Sequence, residues 1–192
     1  MAGPNWKIAY DGYLDFYHLP ILHKDTVGSD FPSRAHYYSW GPHQRVSSPN
    51  PVFLETPEDE WSRESLLDGV WTIFPHVSIA SFDAGGRGVL ISQLFPGETP
   101  GESVTVQNYL MEKAPPDEAA AKAAHEQFDF LKHVVEVEDY ATGLRQQKAL
   151  MTGAQEEVLF GRNEGGGQNF HGWVDRILNT NDEDLPGLFS KE

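Results

Sequence analysis

Four runs of the chain, residues 70–74, 77–83, 88–95 and 103–111, set apolar side chains against polar ones with the two-residue period of a half-buried strand. Turn chemistry separates them: DAGGRG at 83–88 and GETPG at 97–101. The spacing changes after Pro115 and Pro116. Asp117 is a good N-cap there, and Ala124, Phe128, Leu131 and Val135 recur on one face, which predicts a helix running to about His133. Further helices are predicted at about 136–150 and 168–179, with a shorter helical segment at about 11–24. Residues 25–66 hold no sustained period and read as a long irregular stretch, with short strands expected between Ser33 and Leu54; loops of that length are usually functional or mobile. An antiparallel sheet with helices makes the chain α+β. No repeat or low-complexity segment divides it, so residues 1–192 are expected to form one domain.

Composition narrows the class. A chain of 192 residues can bury roughly 70% of the surface its unfolded form exposes, enough for one core. With 39% hydrophobic and 12% aromatic residues, disorder throughout is excluded. The formal charge of −15, from 14 basic and 29 acidic residues, opposes non-specific nucleic-acid binding and docking on anionic lipid. No apolar run is long enough to span a bilayer and no signal sequence opens the chain, so a cytoplasmic location and no membrane partner are expected. Neither GGRG at 85–88 nor GGG at 165–167 completes a phosphate loop or dinucleotide fingerprint, and no GxSxG elbow occurs.

The candidate chemistry begins at His18 and His23. Five residues of regular helix turn the side chains about 140° apart, so this is not the same-face pair of a zinc helix. Both rings can meet at one point only if the helix bends, widens or ends between them. Pro20 lies between them and breaks a helix unless it sits in the first turn; a locally widened turn is the other route. As a plain alternative, the pair consists of ordinary core or surface residues of an aromatic-rich segment. A second constellation, His125, Asp129 and His133, lines one helical face at four-residue spacing. It reads better as a solvated polar flank than as a zinc site. His36, His43 and His76 have no second ligand at telling spacing, and His171 reads as a packing or hydrogen-bonding residue.

Around the histidine pair the string is NWK at 5–7, DGY at 11–13, LDFYH at 14–18 and HxxxxH at 18–23. Downstream stand GVWTIFPHVSI at 69–79, LFPGETPGESVTVQNYL at 94–110, VEVEDYATGLRQQKAL at 135–150 and GRNEGGGQNFHGWVDRIL at 161–178. In this order the fragments resemble the catalytic domain of Rieske non-heme iron oxygenase alpha subunits, the aromatic ring-hydroxylating enzymes. The resemblance implies a helix-grip fold of the START/Bet v 1 type, a curved antiparallel sheet over a long C-terminal helix. It implies mononuclear Fe(II) held by His18, His23 and Asp139, with two imidazoles and one carboxylate on one face and open positions for O₂. Glu138 and Glu136 flank the third position, and the family motif selects Asp139. Asp15 matches the family's bridging acid, which orients the first ligand histidine and carries electrons from a Rieske cluster in a neighbouring subunit of a trimer. Gly12 stands where many members have Asn, which puts the substrate class in doubt.

The chain has no cysteine, and a Rieske cluster needs two. The sequence therefore reads as a catalytic half whose 2Fe-2S cluster belongs to a full-length or partner subunit, and the short MAGP leader reads as a truncation or an engineered start. The implied activity is insertion of oxygen from O₂ into an apolar, in the first instance aromatic, substrate, with electrons from a reductase and ferredoxin. By itself the chain is expected to be inactive with NADH, and mono-oxygenation, dihydroxylation and demethylation are not separated. The competing reading is a helix-grip carrier of a hydrophobic ligand without redox chemistry.

Overall fold

Short turns keep most of the consecutive strands beside each other, and the result is one antiparallel sheet. The strands are β1 Ala2–Gly3, β2 His36–Trp40, β3 His43–Ser47, β4 Val70–Ile73, β5 Val77–Asp83, β6 Arg87–Pro96 and β7 Ser103–Met111. They lie in the order β1-β7-β6-β5-β4-β3-β2. The helices are α1 Trp6–Asp11, α2 Leu19–Leu22, α3 Glu118–Val134, α4 Ala141–Leu150, α5 Gly165–Leu178 and α6 Leu185–Leu188. A π-helical turn, Val135–Tyr140, joins α3 to α4 without a break. The structure is a computed structural model that describes residues 1–28, 33–48, 56–60, 69–83, 87–155 and 157–190. The α+β architecture is the one the sequence predicts.

Local chemistry explains the elements that match. Asp117 accepts from the Ala120 N–H at 2.8 Å and opens α3. Its sheet-side face carries Ala124, and Phe128 packs on Tyr109 with ring centroids 5.3 Å apart. The four expected strands become β4 to β7, and β2 and β3 fall within the expected 33–54 stretch. Residues 84–86 of the predicted turn, and parts of the long irregular stretch, lie outside the described residues. Two features differ from expectation. The helix predicted at 11–24 shrinks to the four residues of α2, because α1 ends at Asp11 and residues 12–18 are irregular; Pro20 falls in the first turn of α2, where a missing N–H breaks nothing. The extreme N-terminus adds strand β1, pairing Ala2 with Val104, while the Met1 ammonium donates to Thr105 O at 2.8 Å.

The sheet presents polar side chains to its helices. Gln44, Thr72, Ser78, Ser92 and Gln107 are paired in register across five strands, and the first four are buried. Gln44 Nε2 donates to Gly166 O at 3.0 Å, Thr72 Oγ1 to Gln44 O at 3.3 Å, and Gln107 Nε2 to Ser92 Oγ at 3.2 Å. Apolar Phe95, Val104, Val106 and Leu110 point outward and are exposed. The two-residue period was therefore readable, but not which set faces in, because alternation has no sign.

An aromatic core joins this sheet to the helices. Tyr10, Leu14, Leu94, Tyr140 and Phe170 form it with Ala9. Phe170 of α5 lies 4.9 Å from Tyr10 and 5.9 Å from Trp6, ring centre to ring centre. Each such side chain contributes about 1.5–3 kcal/mol by burial. Two core residues are immediate neighbours of polar residues that matter below: Leu14 precedes Asp15, and Tyr140 follows Asp139. Packing of Leu14 and Tyr140 in one cluster therefore brings two segments distant in sequence edge to edge. Gly143 lets α4 approach the chain start closely, since a Cβ there would lie 2.9 Å from Pro4 Cγ.

Candidate metal centre

The two histidines bracket a single turn. His18 is the N-cap and His23 the C-cap of α2. The residues between them are helical: Leu22 N–H donates to His18 O at 2.7 Å and His23 N–H to Leu19 O at 3.1 Å, and the backbone leaves helical angles only at His23, where ψ is 19°. The rings lie 5.2 Å apart, centroid to centroid, at 68°. Pro20 sits in the first turn of α2 and no widened turn lies between the histidines, so the helix runs from one ring to the other. The widened turn occurs in the opposing segment.

That segment delivers Asp139. Its Oδ1 is 3.2 Å from His23 Nε2 and 3.6 Å from His18 Nε2. One donor atom from each of His18, His23 and Asp139 lies within 4.8 Å of the others. Ligands at right angles on a first-row metal, each about 2.1 Å from the ion, stand about 3 Å apart, close to the two spacings from Asp139 Oδ1. Two imidazole nitrogens and a carboxylate oxygen also match the donor preferences of a divalent iron site with open positions.

The remaining ring nitrogens are held. His18 Nδ1 pairs with Asp15 Oδ1 at 3.0 Å, and the same oxygen accepts from the His18 backbone N–H at 3.1 Å. His23 Nδ1 pairs with Glu138 Oε2 at 2.5 Å. A proton on Nδ1 of each ring would be accepted by its carboxylate partner and would leave Nε2, the nitrogen beside Asp139, for a metal. Burial pulls the His23 pKa down, but the Asp139 and Glu138 carboxylates outweigh it and hold it above the ordinary imidazole value. Positive charge is thus favoured at the buried His23 ring, and a metal ion supplies it as well as a proton does. Burial pushes Asp15 up, and hydrogen bonds and charge from His18, with the Tyr17 backbone, more than reverse it, leaving it below the usual carboxylate range.

Behind these three groups lies a polar cluster. Tyr140 OH pairs with Thr105 Oγ1, and burial raises the pKa of both Tyr13 and Tyr140, which stay neutral phenols. Gly12 stands against the centre: a Cβ there would lie 3.9 Å from Asp139 Oδ1. Asp11, one residue earlier, pairs with His171 Nε2 at 2.8 Å, which makes His171 the hydrogen-bonding residue the sequence suggested. A cleft of about 260 Å³ opens beside the centre, with Gly12, Asp15, His18, Asp139, Leu159 and Phe160 in its walls.

The structure brings Asp15, His18, His23 and Asp139 together. His125, Asp129 and His133 are exposed along α3, and His18, His23 and Asp139 are the metal-competent cluster found among the described residues. Sequence reasoning missed the pairing of Glu138 with His23, although the adjacent Glu138–Asp139 pair was its signal. It also missed the Asp11–His171 pair, whose partners stand too far apart in the chain for any spacing rule to connect them.

Comparison with known proteins accords with this geometry. The ring hydroxylating alpha subunit family, in its catalytic domain, matches residues 2–180. Among solved structures, the quaternary ammonium Rieske monooxygenase CntA, in complex with an inhibitor, superposes with a TM-score of 0.66 at 11% identity, over 92% of this chain and 47% of that one. The likeness at that identity is one of fold, and the chain spans about half the length of that relative. No curated protein matches the chain.

Proposed function

The chain belongs to the family of ring-hydroxylating alpha-subunit catalytic domains, and on that footing we propose that it binds one Fe(II) through His18, His23 and Asp139 and serves as the oxygenating half of a Rieske-type oxygenase. The observation that carries the reading is the donor set itself. Three groups of the right chemistry converge, and both histidines have their outward nitrogens tied to carboxylates, an arrangement with no evident use for a core that needs only packing. Iron bound there would activate O₂ for attack on an organic substrate, apolar and in the first instance aromatic.

The chain's own residues would do the rest. Asp139 would supply the negative charge that keeps the ion in place, and Gly12 would leave room at its side. Asp15 would be the bridge for incoming electrons. Its carboxylate is bonded to the ring of a ligand histidine yet keeps 23% of its side-chain surface exposed, so it is reachable by a donor from outside. The cleft keeps this carboxylate and the metal side accessible, which both O₂ entry and such docking require. The electron donor would be a Rieske cluster on a full-length or partner subunit, fed by a ferredoxin and reductase, in an assembly we propose to be a homotrimer. Among the described residues no helix is long and apolar enough to cross a membrane.

The test is metal content after anaerobic reconstitution with Fe(II), for the parent and for His18→Ala, His23→Ala and Asp139→Ala. Near-stoichiometric iron in the parent and little in the three variants is expected. Equal metal in all four would overturn the iron reading and leave a hydrophobic-ligand carrier of the same fold ahead.

A further inference from the structure

The two ligand histidines are steadied in different ways. His18 takes its Nδ1 partner from Asp15, three residues earlier in its own segment, so that pair is set locally. His23 takes its partner from Glu138, and the contact joins segments 115 residues apart in sequence. His23 is also the more enclosed ring, with 3% of its surface exposed. Thr26 completes the arrangement: its hydroxyl donates to Glu138 Oε2 at 3.0 Å. A second acceptor, His23 O, lies farther off at 3.2 Å, so the single hydroxyl proton goes to the charged oxygen. The backbone N–H groups of Thr26 and Gly28 both donate to His23 O, at 3.0 and 2.8 Å, so the loop after α2 closes around this residue.

Glu138 and Asp139 are consecutive, and in a regular α-helix their side chains would diverge by about 100°. Here they address the two nitrogens of one imidazole: Glu138 Oε2 at Nδ1, and Asp139 Oδ1 at Nε2, 3.2 Å away. Both residues lie in the π-helical turn Val135–Tyr140, the kind of widening that gathers at functional sites. Glu138 Oε2 already accepts from both His23 Nδ1 and the Thr26 hydroxyl, which commits that oxygen to the ring rather than to an ion.

We propose that Glu138, braced by Thr26, is the positioning residue of the metal centre, and that the π turn serves to set two consecutive carboxylates on opposite nitrogens of His23. Glu138 fixes the ring with its proton on Nδ1 and its lone pair aimed at the ion, and it does so only when the α2 segment and the π turn are docked. The inference rests on the iron reading above.

Co(II) titration tests it, using the parent, Glu138→Gln, Glu138→Ala, Thr26→Val and, as a control, Asp139→Ala, with the visible Co(II) bands recorded and each metal-free protein melted. Loss of such an outer partner lowers metal affinity by about 10–100-fold, and that is the expected result for Glu138→Ala. Glu138→Gln keeps an acceptor oxygen for Nδ1–H and is expected to fall between, with altered Co(II) bands and an unchanged metal-free melting temperature. Thr26→Val is expected to weaken binding by a smaller factor in the same direction. Affinity and spectra like the parent's in Glu138→Gln and Glu138→Ala would overturn the proposal. So would an affinity loss matched by collapse of the metal-free fold in Glu138→Gln, since that is the mark of a merely structural contact. A parent that binds Co(II) no better than Asp139→Ala would instead remove the metal reading, and the positioning role would fall with it.

Discussion

Gly28 and Gly172 should respond to the same substitution with opposite signs. Gly28 is buried where the loop after His23 folds back on α2. A Cβ added there would collide with the Leu19 carbonyl oxygen, 2.7 Å from its carbon and 2.9 Å from His23 Cβ. Carbon atoms in contact normally stand about 3.5–4.0 Å apart, so the loop or the helix must retreat by roughly 1 Å. Leu19 follows one of the two proposed ligand histidines, and His23 is the other, so neither surface can yield without moving one of those rings. Overpacking of this kind costs about 1–3 kcal/mol, and for a chain of this length each kcal/mol shifts the melting temperature by about 2–4 °C. Gly28→Ala is therefore expected to melt about 2–12 °C lower and to bind Co(II) more weakly. Gly172 is an exposed position inside α5 with nothing within 4 Å of an added Cβ. Alanine there gains about 1 kcal/mol of helix propensity, raises the melting temperature by about 2–4 °C and leaves metal binding alone. Circular dichroism melts of the metal-free proteins and parallel Co(II) titrations read both. Parent-like melting and affinity in Gly28→Ala would refute the reasoning, because the packing of the loop on α2 would then not be holding the histidines.

Ser78 is buried in the polar row of the sheet, and its Oγ has no hydrogen-bond partner among the described residues. Ser78→Ala removes an unsatisfied hydroxyl and should raise stability by about 1 kcal/mol in urea denaturation; a loss of that size would show that the hydroxyl is in use. Asp11 offers a pH signature. Burial raises its carboxyl pKa, and the bond and charge of His171 only partly offset that. A carboxyl raised in the folded state contributes stability that is full below the unfolded value and is lost as pH climbs through the folded one. The melting advantage of Asp11→Asn over the parent should accordingly grow between about pH 4 and pH 7, and a flat difference across that range would contradict the assignment.

The strands from Val70 to Met111 and the capped start of α3 could be read in advance because their causes are local. A two-residue period, a Gly-rich or Pro-containing turn and an Asp before a helix act over a few residues whatever surrounds them. The resemblance through LDFYH and VEVEDY also carried the family. The direction the sheet faces could not be read the same way: Gln44, Thr72, Ser78, Ser92 and Gln107 alternate with apolar neighbours just as an ordinary strand does, and only the seating of α1 and α5 made their side the inner one. The expected single helix at 11–24 failed for a comparable reason, since Pro20 permits a new helix start as readily as it forbids a continuing one.

At the centre the division is sharper. The chain itself supplied His18 and His23 at five-residue spacing, a neighbouring carboxylate in Asp15, and two adjacent acids at 138 and 139. Those are properties of local chemistry, and no fold can alter them. Which nitrogen of His23 meets which acid is a matter of directions and of separations near 3 Å, and such directions arise only when Leu14 and Tyr140 pack into one core and draw the α2 segment against a widened turn. Side-chain hydrogen bonds reach across a few ångströms of space and carry no trace of the 115 residues between their partners, so tertiary packing alone decided that arrangement.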